Sequence, residues 1–113
     1  MPMDPQITAQ AVVKGAGELR RAVPAVMEGF GALGAATYQS GALEPKTKEL
    51  IALAIAISVR CDGCVAYHAK AAHDRGASRD EVAEAIGVAI HMGGGPSMVY
   101  GAEALQAFDA FAG

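Results

Sequence analysis

Cys61 and Cys64 are the only cysteines in the chain, three residues apart in Cys61-Asp62-Gly63-Cys64, with His68 one helical turn further on. Thiol chemistry needs a thiolate near neutral pH and a second thiol within reach to resolve an oxidised intermediate. A pair at this spacing that opens a helix meets both needs. Its sulfurs share one face, and the free amides and dipole at the helix start favour an anionic sulfur. His68 lies on the same face beyond Cys64 and can exchange a proton with it, so Cys64 is the candidate attacking thiol and Cys61 the resolving one. Two cysteines this close cannot staple distant loops, so their effect must be local.

Glu49 enters by geometry. If the helices on either side of Arg60 form an antiparallel hairpin, Glu49 lies about 16 Å from the turn, level with residues near position 72. From there its carboxylate can orient the imidazole directly or through a water. The order Glu49, His68, Cys64, Cys61 then forms an acid–base relay serving a dithiol. Blander readings stand beside it. The two cysteines could be small core residues, or Cys61, Cys64 and His68 could ligate a tetrahedral zinc with Glu49 or another histidine as the fourth ligand. Glu49 could be one acid in a solvated first turn with Lys46 and Lys48. His73 and His91 fit local roles, Tyr67 and Tyr100 could line a pocket but better fit core or interface packing, and Gly93-Gly94-Gly95 fits a tight turn between helices, not a phosphate loop.

The elements that must position these groups are helical throughout. Proline and glycine divide the chain into about six stretches of helical length, and no alternating β-branched run occurs, which predicts an all-α fold. Asp4 caps a helix from Pro5 to about Arg21, and Pro24 opens a second that runs to about Gln39 and ends at a left-handed Gly41. A third, expected to be central, spans Pro45 to about Arg60. The fourth begins near Cys61 or Asp62 and stops at Gly76. Ser78-Arg79-Asp80-Glu81 reads as a capping box that starts the fifth, with Val82, Ile86 and Ile90 behind it. A sixth follows Pro96 and is expected to align Met98, Leu105 and Phe108.

A length of 113 residues, 52% hydrophobic and 19% charged with net charge −3, describes one domain over residues 1–113 and excludes a disordered tail. Scattered basic residues and few aromatics argue against nucleic acid. The apolar run from Leu50 to Val59 is too short for a bilayer and suits a buried helix, so no membrane segment is expected. Met1-Pro2-Met3-Asp4-Pro5 lacks a secretory n-region and h-region, which predicts a cytoplasmic protein. A short chain rich in alanine and glycine buries little apolar area, which predicts a homo-oligomer.

Pro45 to Ala54, the run Cys61-Asp62-Gly63-Cys64-Val65-Ala66-Tyr67-His68, and Met92-Gly93-Gly94-Gly95-Pro96 together resemble the alkylhydroperoxidase D-like (AhpD-like) branch of the carboxymuconolactone decarboxylase family, over roughly Phe30 to Phe111. The resemblance implies an AhpD-like all-helical domain, assembled as a homotrimer or homohexamer. It also implies peroxidase chemistry in which Cys64 attacks a hydroperoxide, Cys61 resolves the product, and Glu49 and His68 relay protons. No cofactor or metal is implied; the electron donor would be a dithiol or a lipoyl-type group on a partner. One departure is Gly63, where well-studied alkylhydroperoxidases have a further histidine. The rival activity within the family is that of a carboxymuconolactone decarboxylase-type lyase, and a non-catalytic metal-binding or scaffold oligomer is a third reading.

Overall fold

Asp4 accepts hydrogen bonds from the amides of Gln6 and Ile7 at 3.0 and 3.2 Å, and Pro5 follows at the first helical position, so the chain enters its first helix at the expected place. The computed structural model describes residues 4–113; the first three residues of the Met1–Pro5 stretch lie outside the described residues. Six helices follow in order: α1 (Pro5–Ala22), α2 (Pro24–Thr37), α3 (Pro45–Ser58), α4 (Asp62–Asp74), α5 (Arg79–Gly93) and α6 (Gly95–Ala112). No strand occurs among the described residues, and none of these helices is long and apolar enough to cross a membrane.

The ends of α3 and α4 decide where the cysteines sit. Both close with the same pair of backbone bonds. At α3 the amide of Arg60 bonds the carbonyl of Ile57 and that of Cys61 bonds the carbonyl of Ala56, each at 3.2 Å; at α4 Gly76 bonds His73 and Ala77 bonds Ala72, each at 3.0 Å. This closure needs a left-handed residue past the helix end. Gly76 supplies it at φ 87° without steric cost, but at α3 the position is filled by Arg60 at φ 56°. A non-glycine residue there costs about 1–2 kcal/mol. The helix therefore stops at Ser58, two residues short of the expected Arg60. Cys61 ends one helix turn and caps the next.

Two further boundaries differ from expectation. α2 ends at Thr37, and Gly41 is not left-handed. A side chain meets its last carbonyl instead: the Lys48 ammonium of α3 donates to the carbonyl of Thr37 at 2.9 Å and to that of Gln39, just past the helix, at 2.6 Å. A cation at the negative end of a helix serves as well as a glycine turn. The capping box of α5 forms as read, with Ser78 N to Glu81 Oε1 at 2.8 Å and Glu81 N to Ser78 Oγ at 3.1 Å.

The core gathers Leu53 and Ile57 of α3, Val65 and Ala69 of α4, Val82 and Ile86 of α5, and Ala104 and Phe108 of α6. α6 packs against α1, α3, α4 and α5, which makes it the central helix in place of α3. The buried stripe of α6 is Ser97, Gly101, Ala104 and Phe108, so Met98 faces outward, not along with Phe108 as expected. The apolar run of α3 is likewise buried on one side only. Leu53 and Ile57 are sealed, but Ile51, Ile55 and Val59, on the opposite side of a 3.6-residue helix, remain 45%, 57% and 64% exposed. α2 packs mainly on α1, buries no residue, and presents Val26, Phe30 and Leu33 outward.

Candidate active site

Cys61 and Cys64 are joined by a disulfide, with their Cα atoms 5.1 Å apart, at the start of α4. The Cys64 amide donates to Cys61 Sγ at 3.1 Å, so a sulfur does the work that a serine or aspartate oxygen usually does at a helix start. The helix amide thus favours the sulfur of Cys61; Cys64 is one turn from His68. Both cysteines are half-buried. Beside them, one carboxylate oxygen of Asp62 is buried and has no hydrogen-bond partner among the described residues.

Gly63 is accounted for by packing. A Cβ there would lie 2.9 Å from Cγ2 of Val12, because α1 crosses the start of α4 at this point. α1 thus fills the space that a side chain before the second cysteine would need.

The α3–α4 hairpin brings Glu49 and His68 together directly. Glu49 Oε1 and His68 Nδ1 are 2.8 Å apart, and Glu49 is only 5% exposed. The solvated-first-turn reading of Glu49 is therefore corrected: Lys46 pairs with Glu81 at 3.0 Å and Lys48 caps α2, but Glu49 turns inward. With Glu49 ionised, Nδ1–H donates to the carboxylate and Nε2 carries the free lone pair. Two tyrosine rings lie near the imidazole. The Tyr67 ring meets it edge-on with centroids 5.2 Å apart, and the Tyr38 ring is tilted at 6.2 Å.

Tyr38 is the residue the spacing of motifs did not reveal. It follows the last residue of α2, and no periodicity links it to Cys64; only the fold brings it to His68. Burial, then the charge of Glu49, then the neighbouring Tyr67 push its phenol above the usual tyrosine range, so it stays protonated.

Two cavities meet at this cluster. The larger, about 1,090 Å³, runs between α1, α2 and α4, with Val12, Ala16, Met27 and Phe30 on its apolar wall and Glu49, Cys61 and Tyr67 at its base. The smaller, about 490 Å³, opens on the α3 side past Ile51, Ile55 and Val59. Tyr38, Cys64 and His68 line both.

Other candidates lie elsewhere. His73 rests edge-on against Phe108 at 5.8 Å, His91 is in the last turn of α5, and Tyr100 packs against the core. Among the described residues no group of three or more histidine, cysteine or acidic side chains is arranged to hold a metal, and the sulfurs of the suggested zinc set are bonded to each other.

Comparison with known proteins agrees with this architecture. The family model described as carboxymuconolactone decarboxylase matches residues 24–107, from α2 into α6 and across Tyr38, Glu49, Cys61, Cys64, Tyr67 and His68. An uncharacterised protein of Cupriavidus necator is 43% identical over 94 residues, 83% of each chain. The crystal structure of a carboxymuconolactone decarboxylase family protein from Legionella pneumophila superposes with a TM-score of 0.94 at 39% identity, covering 96% of this chain and 97% of that one. A family protein of Thermotoga maritima, for which a part in an antioxidative response has been suggested, matches at a TM-score of 0.79 and 29% identity over 91% of this chain and 87% of its own. Sequence and backbone thus agree over nearly the whole length of the molecule, and the chain belongs to the carboxymuconolactone decarboxylase family.

Proposed function

We propose that the protein is a thiol-dependent peroxidase of the AhpD-like branch, a dithiol/disulfide oxidoreductase that reduces hydroperoxides. The observation that carries this reading is the Cys61–Cys64 disulfide at the start of α4, one turn from an imidazole bonded to a buried carboxylate. In the reduced protein His68 Nε2 takes the Cys64 proton, and Glu49 holds the ring and balances its positive charge. The Cys64 thiolate attacks the terminal peroxide oxygen; an S–O bond forms, the O–O bond breaks, and the alcohol departs with a proton. Cys61 then attacks the sulfur of the Cys64 sulfenic acid, water leaves, and the disulfide results. An external dithiol, of which a lipoyl group is one kind, returns the pair to thiols.

The test is peroxide consumption with dithiothreitol as donor. Cys64→Ser abolishes turnover, and Cys61→Ser, reduced and then freed of dithiothreitol, consumes one equivalent of peroxide and stops at the sulfenic acid; equal activity in both variants and the wild type would remove the sulfurs from the mechanism.

A second reading, lactone decarboxylation, draws on Arg20 and Arg75, which line the larger cavity and have no acidic partner within ion-pair distance among the described residues. Such a pair suits a substrate carboxylate. That activity would survive Cys64→Ser, so the same variant separates the two.

We also propose a homo-oligomer, a trimer or hexamer, because Val26 and Leu33 of α2 and Ile51 and Ile55 of α3 stand 45–67% exposed, and apolar residues grouped on a helix face suit a subunit contact. A folded monomer in sedimentation at micromolar concentration would end that proposal.

A further inference from the structure

Reduction of a hydroperoxide asks for two proton transfers in opposite senses: Cys64 must lose a proton to attack, and the departing oxygen must gain one, because an alkoxide is a poor leaving group. One imidazole cannot do both at the same instant. The Nδ1 edge of His68 is committed to Glu49, which leaves a single nitrogen to face the sulfur. A second donor is needed on the wall that the peroxide touches.

Three side chains form the wall shared by the two cavities: Cys64, His68 and Tyr38. The first is the nucleophile and the second its base in the reading above. The third carries a phenolic O–H, is half-buried, and lies with its ring 6.2 Å from the imidazole. Tyr67 also lines the larger cavity but is 47% exposed and absent from the smaller one. The tether of Lys48 to the Thr37 and Gln39 carbonyls holds the backbone on both sides of Tyr38 in place.

We infer that Tyr38 is a catalytic residue that protonates the departing oxygen, an inference that rests on the peroxidase reading. As the Cys64 thiolate forms its bond to the terminal oxygen, the O–O electron pair passes to the inner oxygen, which takes the phenolic proton and leaves as the alcohol. The tyrosinate is reprotonated by the His68 imidazolium, which holds the proton taken from Cys64. The sum is Cys64–SH + ROOH → Cys64–SOH + ROH, and imidazole and phenol end as they began. A phenol that burial and the nearby Glu49 carboxylate keep protonated is suited to this step.

The test uses leaving groups that differ in their need for a proton. Reduced wild type and Tyr38→Phe are mixed with t-butyl hydroperoxide or with peracetic acid, and the single-turnover rate of thiol loss is followed. An alkoxide must be protonated as it leaves; acetate need not be. Tyr38→Phe is expected to lower the ratio of the t-butyl to the peracetate rate constant by about 10²-fold, the scale of a lost general acid. A purely structural role for the ring would slow both peroxides alike and leave the ratio unchanged, and that result, or no slowing at all, overturns the inference while the peroxidase reading stands. Wild type that consumes neither peroxide overturns the peroxidase reading, and the role of Tyr38 with it. A measurement on wild type alone covers the case in which the variant does not fold: a solvent deuterium isotope effect larger for t-butyl hydroperoxide than for peracetic acid is expected, and equal effects would refute a proton in flight to the leaving oxygen.

Discussion

Removing the imidazole of His68 should harm the fold more than removing the carboxylate it holds. Glu49 is 5% exposed, and its one side-chain bond among the described residues is to His68 Nδ1 at 2.8 Å. In His68→Leu a buried carboxylate loses that partner, and breaking a buried pair from one side costs roughly 3–5 kcal/mol. The His68 side chain is 21% exposed, so water reaches one side and the lower end, about 3 kcal/mol, applies. For a domain of this size that is a fall in Tm of about 12 °C. Glu49→Leu leaves a partly hydrated imidazole, a loss of about 1 kcal/mol. The double variant replaces both partners with apolar groups and should be more stable than His68→Leu alone, with a coupling of about 2 kcal/mol. Urea unfolding at one protein concentration, with the disulfide intact throughout, reads all four species. His68→Leu no worse than Glu49→Leu, or strictly additive losses, would refute the claim that the buried carboxylate depends on the imidazole.

Arg60→Gly should stabilise the protein by about 1 kcal/mol in the same assay, since glycine takes the left-handed turn before Cys61 without the penalty that arginine pays. Gly63→Ala should destabilise it by about 1–2 kcal/mol through the 2.9 Å approach of the new Cβ to Val12, and Val12→Ala in the same chain should recover most of the loss. Towards acid, Glu81 and Asp109 matter. The Ser78 amide, then Lys46, hold the Glu81 carboxyl below its usual range, and the bond from Arg79 does the same for Asp109. A carboxyl with a depressed folded pKa contributes stability that is present above its unfolded value and lost as pH falls through the folded one. The stability difference between wild type and Glu81→Gln should therefore shrink as pH drops below about 4 and vanish in stronger acid, as measured by denaturant midpoints across pH.

Much of the site was legible in the chain because it is local. Cys61, Cys64 and His68 lie within eight residues on one helical face, and a period of 3.6 residues aligns them whatever the rest of the molecule does. The capping box at Ser78 and Glu81, the prolines at helix starts and the left-handed Gly76 belong to the same class of short-range signal, and the six helices follow from them. Glu49 was reachable only by assuming a hairpin, and its direct bond to His68 depends on how α3 and α4 pack. Tyr38, Val12 and the Lys48 cap of α2 left no mark in the spacing, because each meets the site across a helix interface. The face of α3 that stays bare and the central place of α6 were likewise settled by packing. Sequence periodicity determines which residues share a side of one helix. Which sides then meet is set by chain turns and close-packed contacts between distant segments, and at this site by a turn that Arg60 makes in a conformation its own side chain disfavours.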